Sequence, residues 1–402
     1  MFIYTNKVQM SNKSIAAQYV ITNTGKPLKN GVVTYNEESK EIISVTQLTK
    51  EIANTEHYNG VLIPSYVNAH CHLELCHLKN KVTSANSLID FLYQMFKMKG
   101  SSYDYDATQK ADQYMYYEGV SAVGDIGNTA DTAEIKSKSN IRYINFVELI
   151  GTTHDRCIND TVQFNDVFEK FTDYGLNEED IIAVPHSPYF VSPELFDIIN
   201  DINRESRKII SIHNQETKEE NLLYQNKTGD FINKFPLDLN PIPVTGKTSL
   251  QSMSQLVKAN YERILLVHNI YTSEEDAEFA KQNFKHPYFV ICPKSNLNLE
   301  KRIADVKMLQ NKDLKICIGT DSLSSNDKLS MTDEMRVLQK YHEYLSLEEI
   351  VKFATLNGAE ALGLDSELGK IEPGKHPGLV LLENIDLQNL KFTDKTTSRR
   401  LL

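Results

Sequence analysis

The chain has 402 residues, 41% of them hydrophobic, enough for one large domain with an appendage or for two or three domains. Lys and Arg number 43 against 54 Asp and Glu, a net charge of -11 with no basic run, which argues against nucleic-acid binding through phosphates. Five scattered cysteines do not make a disulfide framework, no stretch approaches the roughly 20 apolar residues of a membrane span, and the N-terminal apolar stretch is too short for a signal peptide, so a soluble cytoplasmic protein is expected.

Residues 1–9 read as an extension ahead of a domain that starts near Met10. Next, AAQYVITNTGKPLKNGVVTYNEESKEIISV alternates apolar and polar residues between Gly and Asn turns, the pattern of short antiparallel strands. Eight apolar runs follow in order: VLIPSYVNAH, GVSAVGD, IRYINFVEL, DIIAVPH, KIISIH, RILLVH, YFVIC and LKICIGTD, each trailed by a segment of helical length. Apolar strands alternating with helices predict a parallel sheet covered outside, and eight of them predict a closed (β/α)8 TIM barrel over 61–355. The last part, around LGKIEPGKHPGLVLLENIDL, returns to the β pattern. Residues 1–60 and 356–402 are therefore expected to build one small composite β-sandwich. Residues 217–250, between the fifth and sixth runs, are longer than a plain strand-to-helix connection and are a candidate substrate lid.

Six residues that can bind a metal or move a proton end these runs: His70 and His72 in NAHCHLEL, His213 and Glu216 in SIHNQET, His268 in LLVHN and Asp321 in GTDSL. Strand alternation turns His70 and His72 to one side. An isolated His-x-His is more often a surface or core pair. Here His213 and Asp321 end two other strands, and C-terminal strand ends converge at one mouth, completing a nitrogen and oxygen set suited to one zinc, iron or similar ion. Such an ion lowers the pKa of bound water, making hydroxide available, and C–N hydrolysis also needs a proton delivered to the leaving nitrogen. Glu216 can deliver it, and His268 can hydrogen-bond the nucleophile or polarise the bond attacked. His186 ends the fourth run and is expected to touch substrate. Cys71, Cys76 and His77 in HCHLELCH look like a zinc cluster on paper, but Cys71 alternates away from the histidines. The remaining histidines read as surface or packing residues.

With these motifs in hand, together with PHSPYFVSPELF, CPKSNLNL and GTDSLSSNDKLSMTDEMR, the chain resembles the amidohydrolase superfamily over nearly its whole length. It is most similar to the branch of S-adenosylhomocysteine/5′-methylthioadenosine deaminases and chlorohydrolases. The resemblance implies one metal on His70, His72, His213 and Asp321, usually zinc and sometimes iron. It implies that Asp321 also takes a proton from the attacking water, that Glu216 protonates a heterocycle ring nitrogen and carries a proton to departing ammonia, and that His268 stabilises the tetrahedral intermediate. His186 matches a substrate-contacting position, and the acidic ribose-binding residue maps to Asp90. Binuclear relatives carry a carboxylated lysine where this chain has Pro185-His186, so a mononuclear site follows. GDFINKF is similar to a stretch of aminofutalosine deaminases, and homodimers are common in the family. The expected activity is deamination of an amino-substituted N-heterocycle such as a 6-aminopurine nucleoside, a small-molecule substrate. Hydrolysis of a cyclic amide or a halogenated heterocycle, and a non-catalytic binding barrel, are the alternatives.

Overall fold

The computed structural model describes residues 12–49, 54–82, 87–98, 100–205, 208–235, 238–258 and 261–402. The extension read at residues 1–9 lies outside them. The strands, in chain order, are β1 (Asn12–Val20), β2 (Leu28–Asn36), β3 (Ile42–Gln47), β4 (Thr55–Pro64), β5 (Tyr66–Cys71), β6 (Val120–Gly127), β7 (Arg142–Leu149), β8 (Ile181–Pro185), β9 (Ile209–Asn214), β10 (Arg263–His268), β11 (Pro287–Ile291), β12 (Lys315–Ile318), β13 (Leu379–Glu383) and β14 (Thr397–Arg400).

Both ends of the chain meet in one six-stranded sheet, in the order β14-β13-β4-β1-β2-β3. The sequence suggests a two-layered sandwich; the described strands instead pair edge to edge. The reason is β4, which lies parallel to β1 on one side and antiparallel to β13 on the other, stitching the two termini together. Ile15, Val20, Val33, Ile42, Leu62, Ile371 and Leu379 form the apolar cluster of this sheet.

VLIPSYVNAH, read as one run, is two strands. Residues 61–64 complete β4; the Ser65 N–H then donates to Pro377 O at 3.2 Å and Tyr66 N–H to Gly119 O at 2.9 Å, moving the chain into a different sheet. Pro64 marks the break, since it has no N–H to give a ladder. At the other end of the barrel region, the helix Leu356–Ala361 packs on β5 and β12. Gly358 permits this: a Cβ there would sit 2.9 Å from Val67 O.

The eight remaining strands are parallel and follow one another in space as they do in sequence. Their hydrogen bonding divides into two four-stranded ladders, β5-β6-β7-β8 and β9-β10-β11-β12, not the single closed ladder expected. β5, β8 and β9 are buried along their whole length, the burial expected of parallel strands covered on both faces. Few bonds cross the two junctions. At one, the N–H groups of Thr320 and Asp321 donate to His70 O at 3.0 and 3.1 Å; at the other, the His213 N–H donates to His186 O at 3.1 Å. The ladder lapses for local reasons: β8 ends in Pro185, which cannot donate, and β5 shifts register between Asn68 and Cys71. Among the described residues no helix is long and apolar enough to cross a membrane.

Candidate metal centre and catalytic site

Three imidazoles converge where β5 and β9 end. His70, His72 and His213 are buried, and each offers a ring nitrogen within 4.8 Å of the others. His72 Nε2 lies 3.3 Å from His213 Nε2. His213 Nδ1 is 2.6 Å from His186 O, so that nitrogen carries the proton and Nε2 presents a lone pair to the cluster. Asp321 Oδ1 completes the group at 3.9 Å from His70 Nε2 and 3.8 Å from His72 Nε2. Its other oxygen is held from behind, accepting from Ser295 Oγ at 2.5 Å and Ser325 Oγ at 2.8 Å.

These residues fit a divalent metal. Both ring nitrogens of His70 and Nδ1 of His72 are buried with no hydrogen-bond partner among the described residues, a costly state for polar atoms that a bound ion would relieve. Four-coordinate zinc with bonds of about 2.0–2.1 Å to nitrogen spaces its ligand atoms by about 3.4 Å, close to the His72–His213 separation. Burial pushes the pKa of His70 and of His213 well below the ordinary imidazole value, keeping lone pairs free. Burial alone would raise Asp321, but the imidazoles of His268, His72 and His70 outweigh it and hold the carboxyl down at about 2.

Glu216 and His268 face each other beside this cluster, Oε1 to Nε2 at 3.6 Å. Burial, reinforced by the charges of Asp321, Glu220 and Glu300, raises Glu216 well above the ordinary carboxyl value, favouring its protonated form. Burial lowers His268 to about 4, leaving a neutral ring. With Asn296 Nδ2 donating to its Nδ1 at 2.9 Å, the ring proton sits on Nε2 and points toward Glu216. The arrangement thus sets a carboxyl pushed toward its protonated form beside an ionised one, the environment-driven split that acid and base roles require.

Local backbone conformation aims these groups. Gln215, His268, Asn269 and Asp321 have φ of +47, +77, +58 and +58°, a left-handed region costing non-glycine residues on the order of 1 kcal/mol each. Buried bonds hold the turns. The Glu220 carboxylate accepts from the N–H groups of Gln215 and Glu216 at 2.9 and 2.7 Å, and Gln215 Nε2 donates to Asp276 Oδ2 at 2.8 Å.

The structure therefore brings together His70, His72, His213, Glu216, His268 and Asp321, and seats His186 beside them, its ring 4.5 Å from that of His213. Asp90 is not part of the group: it lies exposed on the first turn of the helix Leu88–Lys97. Cys71, Cys76 and His77 form no metal cluster among the described residues; Cys71 and Cys76 are buried free thiols, and His77 Nδ1 is 2.8 Å from Glu74 O. In the long insertion, Phe231 packs against Tyr189 and Phe235 against Phe190, just beyond His186. Glu148, Ser295, Asn296 and Ser325 escaped the sequence reading. Ser295, Asn296 and Ser325 sit inside motifs already noted, and Glu148 lies near the end of the third apolar run, where the strand-end argument could have found it.

A parallel α/β fold with three histidines and an aspartate at its strand ends is that of a metal-dependent hydrolase. Residues 61–399 match the amidohydrolase family, and the chain belongs to it. An adenosine deaminase of Helicobacter pylori is 26% identical over 92% of this chain and 89% of its own length. A 5-methylthioadenosine/S-adenosylhomocysteine deaminase of Clostridium tetani is 26% identical over 89% and 81%. Among solved structures, Helicobacter pylori aminofutalosine deaminase in complex with methylthio-coformycin superposes with a TM-score of 0.78 at 24% identity, covering 95% of this chain and 93% of that one.

Proposed function

We propose that this chain is a metal-dependent aminohydrolase that removes the exocyclic amino group of a 6-aminopurine nucleoside. The observation that carries the reading is the juxtaposition of an ionised Asp321 and three converging imidazoles with a Glu216 carboxyl whose pKa burial raises and a neutral His268. Relatives that deaminate adenosine and methylthioadenosine, alike to this chain over about nine-tenths of it, support the substrate class. In this reading the eight parallel strands form one barrel and the terminal sheet a separate domain; the bonds to the His70 and His186 carbonyls at the two junctions support it.

His70, His72, His213 and Asp321 would hold one ion, zinc by the nitrogen and oxygen donor set, with iron as the alternative. Bound there, such an ion would supply the Lewis acidity that makes water a nucleophile near neutral pH. The Asp321 carboxylate accepts a proton from the attacking water. Glu216 donates its proton to a ring nitrogen of the purine, which makes C6 electrophilic, then takes the proton of the new C6 hydroxyl and passes it to the departing amino nitrogen, so that ammonia leaves; the proton held by Asp321 restores Glu216. The Nε2–H of His268 hydrogen-bonds the oxygen that develops charge at C6. His186 contacts the substrate.

Ammonia release by zinc-loaded protein tests the reading, with adenosine, methylthioadenosine, adenosylhomocysteine, aminofutalosine, cytosine and guanine as substrates and Asp321→Ala as control. Turnover of a purine nucleoside that disappears in the variant is expected. Silence across the nucleosides, with one metal bound per chain, would overturn the deaminase reading and point to cyclic amides or halogenated heterocycles.

A further inference from the structure

One buried acid beside the site has no part in the chemistry above. Glu148 lies near the end of β7, its carboxyl side chain only 7% exposed, and its Oε2 is 2.6 Å from His186 Nδ1. Oε1 accepts from Asn128 Nδ2 at 3.3 Å, and the Asn128 N–H is in turn anchored on the Glu74 carboxylate at 3.1 Å. The His186 ring is held on its faces as well, stacked on Phe190 with centroids 5.5 Å apart.

Glu148, His186 and His213 are close enough to hold a cation between them. The hydrogen bonds say otherwise. His213 spends Nδ1 on the His186 carbonyl and turns Nε2 toward His72, so it has no lone pair left for a second ion. What remains is a carboxylate–imidazole pair, in which an ionised acid fixes the ring proton on the nitrogen facing it.

We propose that Glu148 is a positioning residue for substrate binding: its contact with Nδ1 holds the His186 ring proton there and leaves Nε2 to accept from a hydrogen-bond donor of the nucleoside. This rests on the nucleoside reading and deepens it, since it makes a donor group on the substrate, not the purine amino group, what His186 selects. Without the carboxylate the ring divides between two tautomers and one of them presents N–H to that donor, a mismatch of two hydrogens. Binding weakens, while the groups that move protons are untouched.

The test compares wild type, Glu148→Gln, His186→Asn and the double variant, zinc-loaded, with adenosine at pH 8. Glu148→Gln is expected to raise KM about tenfold, the scale of one lost hydrogen bond, with kcat within about twofold and metal content unchanged. In the His186→Asn background the same change should leave KM within about twofold, because Glu148 acts only through His186. Equal effects in both backgrounds, or a kcat that falls together with metal content, would overturn the proposal, as would a second ion per chain that Glu148→Gln removes. A readout free of turnover is the 15N spectrum of the histidine rings in zinc-loaded protein. His186 should show a protonated Nδ1 in wild type and a tautomer mixture in Glu148→Gln; an unchanged ring signal rejects the lock even if adenosine proves not to be a substrate.

Discussion

His213 bonds the carbonyl of His186 twice, through its backbone N–H at 3.1 Å and its ring Nδ1 at 2.6 Å. One oxygen thereby joins β8 to β9, fixes the rotamer and tautomer of a metal-type histidine, and ties that histidine to the residue proposed to touch substrate. Replacing His213 by Asn should cost metal binding and loosen this junction together. The expected outcome is loss of bound zinc by elemental analysis and a lower Tm even in chelator-treated protein.

Glu216→Gln separates metal binding from proton transfer. The amide is isosteric but has no acidic proton to give, so zinc content should remain near one per chain while kcat falls by about 10²–10⁴-fold, the range for a lost general acid. Retained turnover would remove Glu216 from the role given to it.

Ser295 and Ser325 hold the oxygen of Asp321 that faces away from the histidines. Replacing either by Ala frees the carboxylate to swing, and metal affinity should drop about 10–100-fold, as is typical when a partner of a ligand is removed. Competition with a chromogenic chelator measures this directly. Ser295→Ala and Ser325→Ala combined should fall short of the sum, since both act on one oxygen.

His268 makes the metal-free protein acid-sensitive. Its folded pKa is about 4, against 6.5 for an ordinary imidazole, because burial disfavours the charged ring. Between those values the unfolded chain takes up a proton that the fold refuses, so stability is whole above pH 6.5 and is lost as pH falls toward 4. The loss attributable to this residue is about 3 kcal/mol. Urea titrations from pH 7 to 4 should show a shallower decline in His268→Asn than in wild type.

Lys136 and Asp125 form a buried pair, Nζ to Oδ2 at 2.7 Å, and the second oxygen of Asp125 accepts from the N–H of Leu73, next to His72. Lys136→Met strands the carboxylate without its cation and should cost about 3–5 kcal/mol in chemical denaturation.

The six residues of the centre were legible because four of them end apolar runs and His72 and Glu216 follow two of those ends within three residues, and a strand's end is a position that periodicity can locate. The eight parallel strands were legible for the same reason. The break at Pro64–Ser65 was not, since both halves of VLIPSYVNAH are equally apolar and only pairing partners distinguish them. Nor were Ser295, Asn296 and Ser325 assigned roles: they lie after the strand ends, and their use depends on which loop faces which. Asp90 shows the converse. Its place in a helix is a matter of pattern, but its exposure is set by how that helix packs.

The two lapses in the strand ladders fall where the centre is built: His70 and Asp321 flank one, His186 and His213 the other. An ion shared by His70, His213 and Asp321 would therefore cross-link half-sheets that few backbone bonds connect, acting as a rivet through the wall as well as a reagent at its mouth. Starved of metal, the protein should not wait inertly but open along those lines, exchanging its β5 and β9 amides and becoming prey to proteases, so that metal supply sets how long the enzyme lasts and not only how fast it works.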